Sequence, residues 1–195
     1  MNDAPTSNPS MARKLMHTRN IKLCGYQRTD GLWDIEAQLI DSRSYDSGSV
    51  ERGTIPAGES VHDLMVCVTV DDNLVVQSIT SSMTANPFQN CPGALPPLAK
   101  LQGASLGPGW RRAIEMHLGQ DQGCTHIREM LLQVATTAYQ TIPVWFAQKT
   151  GDVVPVIDGK PPQHLGQCHA WSLSGPVVAR LYPQFFENNK NASDN

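Results

Sequence analysis

Between Leu32 and Asp41, and again between Val61 and Val70, apolar and polar residues alternate with the period of two that a β-strand imposes. In the first stretch Trp33, Ile35, Ala37 and Leu39 share one face, while Asp34, Glu36 and Gln38 share the other. In the second, His62, Leu64, Val66, Val68 and Val70 stand against Asp63, Met65, Cys67 and Thr69. A helix would scatter both sets around its axis, so the chain is committed to a sheet with one covered face. Asp71, Asp72 and Asn73 form a turn, and Leu74 to Thr80 returns as a third strand. The expected front half is a three-stranded antiparallel meander.

Beyond it the period changes. Pro92 to Leu101 reads as a short helix opened by a proline, and Trp110 to Leu118 as a second. Thr125 to Gln140 carries the strongest helical stripe, built from Ile127, Met130, Leu131, Val134, Ala135 and Ala138. After Pro143 the spacing of Gly and Pro predicts an irregular C-terminal extension. Strands first and helices second indicate an α+β layer rather than an alternating parallel sheet. A single domain over residues 15–186 follows, with disordered ends at 1–14 and 187–195.

Charge and composition exclude several functions. Fifteen basic against 18 acidic residues offer no field of one sign for a phosphate backbone, so nucleic acid is not an expected partner. No apolar run reaches the roughly 20 residues of a membrane helix, and the first residues lack the build of a signal peptide. A cytoplasmic protein, free to form a homo-oligomer, is expected. Five cysteines in no tight extracellular spacing suit free thiols or metal ligands better than disulfides. There is no phosphate-binding glycine loop, no Gly-x-Ser-x-Gly elbow and no His-Glu-x-x-His zinc helix.

What remains is a set of short motifs rich in imidazole, thiol and carboxylate, the groups that bind borderline metals and move protons near neutral pH. Cys124 stands at the start of the third helix with His126 two residues on, either as an activated thiol sharing a ligand or proton or as a small packing residue beside a capping imidazole. Cys91 has a similar place and a similar pair of readings. His62 and Asp63 adjoin at the start of a strand, where both can reach one cleft, or else are a structural histidine and a solvated carboxylate. Glu36 is a general base if its sheet face is covered and a solvated residue if not. His169 closes a pocket or lies in a loop beside Trp171, and His17 heads a front segment in which Arg28 finds Asp30, Asp34 or Glu36.

The motifs His17-Thr18-Arg19, Gly25-Tyr26-x-Arg28-x-Asp30-Gly31-Leu32-Trp33-Asp34-Ile35-Glu36, His62-Asp63-Leu64-Met65, Cys91-Pro92, Gly123-Cys124-Thr125-His126 and Cys168-His169-Ala170-Trp171 resemble the bacterial family called domain of unknown function 2889, over residues 17 to about 183. More distantly, the run from Asp63 through two strands to Cys91 and on to Cys124 is similar to the NifU/IscU-type iron–sulfur scaffold. That resemblance implies a zinc or cluster site at Asp63, Cys91 and Cys124, although Val61 and Gly123 stand where the scaffold has a cysteine and a histidine.

The expected function is a small enzyme on a NifU/IscU-like α+β fold. Its cleft would hold His62, Asp63, Cys91, Cys124 and His126, with Glu36, His17 and His169 at the rim. Acid–base or metal-assisted cleavage of a small substrate, aromatic compounds among the candidates, makes it a lyase first and a hydrolase second. Zinc or iron would be held by Asp63, Cys91, Cys124 and His126, and a metal-free site is equally tenable. The rival is a carrier that binds a metal or iron–sulfur cargo without catalysis.

Overall fold

The computed structural model describes residues 11–151, 159–162 and 164–187. The ends expected to be disordered fall largely outside the described residues, as does the stretch around Pro155. Two compact units divide the chain, Met1–Thr137 and Ala138–Asn195.

The first unit is built on a four-stranded antiparallel sheet of order β1-β2-β5-β6, formed by β1 (His17–Gln27), β2 (Trp33–Arg43), β5 (Ser60–Val70) and β6 (Val76–Ala85). A ribbon of β3 (Ser47–Ser49) and β4 (Gly53–Ile55) fills the connection between β2 and β5. The expected three strands are therefore four, the addition being β1. Its sequence hides it because it is an edge strand with no fully buried residue, so no clean alternation marks it.

The covered face is the one the alternation specified. Trp33, Ile35, Ala37 and Leu39 of β2 and Leu64, Val66, Val68 and Val70 of β5 are all buried. Register sets Ile35 opposite Val68, Ala37 opposite Val66 and Leu39 opposite Leu64, which stacks the apolar row across the sheet. Burying each Val, Leu or Ile of that row contributes about 1.5–3 kcal/mol against the cost of ordering the chain. The last strand begins at Val76 rather than Leu74. Asp71 Oδ1 accepts the N–H groups of Asn73 and Val75, and Leu74 takes a left-handed conformation (φ 63°), so the turn extends further than its composition suggests.

Of the three expected helices, α1 (Trp110–Leu118) has the anticipated bounds. The proline-rich stretch forms two 3₁₀ turns, Cys91–Ala94 and Pro96–Leu101, instead of one α-helix. Pro92, Pro96 and Pro97 have no N–H to donate, so i→i−4 bonding cannot propagate there. Helix α2 (Thr125–Thr150) runs past its expected end at Gln140 and carries Pro143 inside it. A proline removes one internal hydrogen bond without necessarily ending a helix, and the start of the expected irregular extension is helical.

Helices α1 and α2 are joined by Gly119 to Gly123, where the backbone comes close to itself. A Cβ on Gly123 would lie 2.7 Å from the Leu118 carbonyl oxygen and 2.8 Å from Leu118 Cβ. Trp110 Nε1 donates to the Leu131 carbonyl at 2.7 Å in the interior, tying α1 to α2. In the second unit, α3 (Pro176–Leu181) and a 3₁₀ turn at Pro183–Phe185 surround a small cluster of Leu165, Val178 and Tyr182, flanked by Trp171 and Leu173. Among the described residues no helix is long and apolar enough to cross a membrane.

Candidate functional site

At one end of the covered sheet face the apolar row gives way to polar groups. Register places Arg19 of β1 opposite Asp41 of β2, and Asp41 opposite His62 of β5, so one cross-strand row reads Arg, Asp, His. The next row inward is Ile21, Leu39 and Leu64. Just beyond, the β2–β5 ladder shifts register between Asp41 and Ser42, a bulge of the kind that aims side chains at a site.

Asp41 is the hub, and it is 2% exposed. Arg19 donates from Nε to Oδ1 and from Nη2 to Oδ2, both at 2.9 Å. His17 Nε2 lies 3.1 Å from Oδ1, and His62 Nδ1 lies 3.1 Å from Oδ2. Burial alone would push the carboxyl upward, but the Arg19 guanidinium and the neighbouring imidazoles outweigh it and hold Asp41 below the ordinary carboxylate range. The carboxylate raises the Arg19 value in turn.

The first turns of α2 complete the cluster. The rings of His62 and His126 have centroids 4.3 Å apart at 45°, and His126 Nε2 is 3.9 Å from Asp41 Oδ2. His126 Nδ1 faces Cys124 Sγ at 3.7 Å, and Glu129 Oε2 accepts from Arg19 Nη1 at 3.3 Å. Burial lowers the His62 value, with the His126 charge adding to the effect, against the opposing pull of Asp41. His62 is thus kept neutral at neutral pH, with Nδ1 engaged by a carboxylate. Beside the cluster opens a cleft of ≈ 260 Å³ lined by His62, Leu64, Met83, Phe88, Cys91, Cys124 and His126, among others.

The structure therefore brings together His17, His62 and His126 around Asp41, with Cys91 and Cys124 on the cleft wall. It sets Asp63 and Glu36 elsewhere. β5 begins at Ser60, so His62 and Asp63 are both inside the strand and alternate across the sheet; Asp63 accepts from Gln38 Nε2 at 2.8 Å on the other face. Glu36 shares that other face, in register between Cys24 and Cys67. The Cys67 thiol is pushed up to about 11 by burial and by the carboxylates of Asp34 and Glu36. His169 belongs to the second unit, where it is exposed and its carbonyl accepts from the Ser172 amide.

Asp41 and Glu129 were not among the residues singled out from sequence, and Arg19 stood there only as part of the His17-Thr18-Arg19 motif. A signal for Asp41 was present: it stands in phase with Trp33, Ile35, Ala37 and Leu39, and a carboxylate continuing an apolar stripe must be paired.

The donor atoms of Asp41, His62 and His126 lie within 4.8 Å of one another, a spacing that a metal ion can bridge. Of the residues expected to hold zinc or iron, His126 belongs to that group, whereas Asp63, Cys91 and Cys124 do not join it.

The family model described as a protein of unknown function, DUF2889, matches residues 17–140. The chain belongs to that family. The DUF2889 match contains His17, Arg19, Asp41, His62, Cys91, Cys124, His126 and Glu129, and it stops short of Cys168 and His169, where the sequence resemblance had been extended. No curated protein and no solved structure matches the chain, so the NifU/IscU-type likeness is not shown.

Proposed function

We infer that this DUF2889 chain is a small-molecule lyase in which His62 is the general base. The observation that carries this is the Asp41–His62 pair. With Nδ1–H donated to Asp41 at 3.1 Å, the lone pair of His62 rests on Nε2, and the side chain lines the cleft. Asp41 holds the tautomer and stabilises the imidazolium that forms when a proton is taken. His126, with its ring 4.3 Å from that of His62, is placed to return a proton to the departing group. Two imidazoles acting in turn suit an elimination or carbon–carbon cleavage, which removes one proton and returns another without an added nucleophile. The walls at Leu64, Met83, Pro87 and Phe88 favour a small, largely apolar substrate, a description that aromatic compounds meet.

A metal-assisted version rests on the clustered donor atoms of Asp41, His62 and His126. Arg19 weighs against it. A guanidinium bonded to both carboxylate oxygens puts a positive charge beside any cation bound there and uses the lone pairs the ion would need. The carrier reading loses weight as well, because the two cysteines of the cleft do not belong to the clustered donor group.

The test is a screen of small phenolic and other aromatic compounds for turnover by wild type and His62→Gln, with and without prior chelation. Turnover that survives EDTA and falls on the order of 100-fold or more in His62→Gln is expected. Loss on chelation with recovery on adding zinc or iron would replace the reading with the metal-assisted one. Equal turnover by His62→Gln would overturn the assignment of the base. Failure to turn over any compound, with transfer of iron or zinc to an acceptor, would favour the carrier.

A further inference from the structure

We propose that Cys124 is a nucleophile toward carbonyl compounds and that His126 serves as its base. This goes beyond the acid–base reading and does not depend on which proton His62 removes. It rests on a second relay in the same cleft. Cys124 Sγ lies 3.7 Å from His126 Nδ1, and the other nitrogen of that ring lies 3.9 Å from Asp41 Oδ2. A nucleophile and a base are in contact, and the Asp41 carboxylate, too far from the ring for a hydrogen bond, is near enough to favour the imidazolium that forms when the thiol gives up its proton. Cys124 and His126 both line the cleft of ≈ 260 Å³, so a small molecule held there meets the sulfur directly.

The surroundings select the electrophile. Leu64, Met83 and Phe88 supply apolar contact for the body of a ligand. Thr125 opens the 26-residue α2 and lines the same cleft, and the first amides of a helix have no intrahelical acceptor. Donors in that position suit an oxygen that becomes negative during the reaction, the property of a carbonyl under attack. In the step itself the thiol proton passes to His126 Nδ1, and the sulfur adds to the carbonyl carbon as the π bond opens. The new alkoxide then takes the proton from His126. The product from an aldehyde is a hemithioacetal, formed with no oxidant, reductant or leaving group.

Two other cysteines give internal comparisons. Cys91 lines the same cleft, and among the described residues no imidazole is hydrogen-bonded to its sulfur. Cys67 sits on the opposite sheet face with its thiol held protonated near neutral pH.

The experiment is timed alkylation of the folded full-length chain with iodoacetamide, read cysteine by cysteine by peptide mass, with benzaldehyde as the competing carbonyl. Cys124 should label at least about 10-fold faster than Cys91 and Cys67. His126→Gln should remove most of that advantage without changing Cys91. Benzaldehyde should slow labelling of Cys124 while leaving exposed Cys168 untouched. Labelling of Cys124 no faster than Cys91 in wild type would overturn the proposal without recourse to any variant. Fast labelling that benzaldehyde does not slow would overturn the carbonyl assignment. None of these readings needs turnover, so failure of the lyase reading leaves them intact.

Discussion

Arg19 grips Asp41 through both carboxylate oxygens, with its Nε and Nη2 each 2.9 Å from its acceptor. The third nitrogen, Nη1, reaches Glu129 at 3.3 Å, so one guanidinium joins β1, β2 and the start of α2. Only a planar fork can serve both oxygens at once. Arg19→Lys should therefore keep the charge and lose the geometry. We expect turnover to fall about 10-fold or more, with the acid limb of the kcat/KM profile displaced; an unchanged profile would make Arg19 merely structural.

Replacing Asp41 by Asn keeps the shape and removes the charge. The Arg19 fork then loses its counter-ion, and His62 can adopt the wrong tautomer. Breaking a buried pair costs about 3–5 kcal/mol, and the lower end applies because Arg19 is a third exposed. At about 2–4 °C per kcal/mol for a chain of this size, thermal melting should show a drop of several degrees.

Stability should fall on the acid side in two stages. His62 is held below its ordinary 6.5 in the fold, so under acid conditions the unfolded chain takes up a proton that the folded chain resists. That contribution is complete above about pH 6.5 and is lost as pH falls through the lower folded value. Asp41, held below its ordinary 3.8, adds a second loss of the same sign at lower pH. Burial holds His164 below 6.5 as well and adds to the first stage; melting curves of EDTA-treated wild type and His62→Gln between pH 8 and pH 3 provide the check, and the first stage should shrink in the variant while the second persists.

Gly123→Ala should damage the site from a distance. Its Cβ would fall 2.7 Å from the Leu118 carbonyl oxygen, and backbone cannot yield as a flexible side chain can. The turn that delivers Cys124 and His126 must shift, at a cost of roughly 1–3 kcal/mol. A lower melting temperature together with slower iodoacetamide labelling of Cys124 is expected. Unchanged values in both would show that the turn has room.

The inner face of β2 and β5 was legible in the sequence because burial on one side of a sheet writes a period of two. The edge strand β1 was not, since a strand hydrogen-bonded on one side and half exposed carries no such stripe. Histidines drew attention by their type, which picked out the His17, His62 and His126 that surround Asp41 and equally the His169 that lies in the second unit. Asp41 was passed over as the last residue of an alternating run. What makes it the hub is the pairing of three strands that place Arg19 and His62 on either side of it, and pairing is not written within any one segment. Glu36 and Asp63 were attractive for their chemistry, and strand parity sends them to the other face.

That parity bears on how the molecule folds. A slip of β5 by one residue would turn Leu64, Val66 and Val68 away from the interior, and in one of its two directions it would set the carboxylate of Asp63 against that of Asp41. Hydrophobic loss and charge repulsion thus penalise the same misalignment, and a mispaired chain has no Asp41–His62 contact to offer. During refolding from denaturant, the far-ultraviolet signal of strands should recover before the cleft does, because slipped and native sheets share that signal. The downfield proton of the Asp41–His62 hydrogen bond would then serve as a clock for the moment at which the strands fall into step.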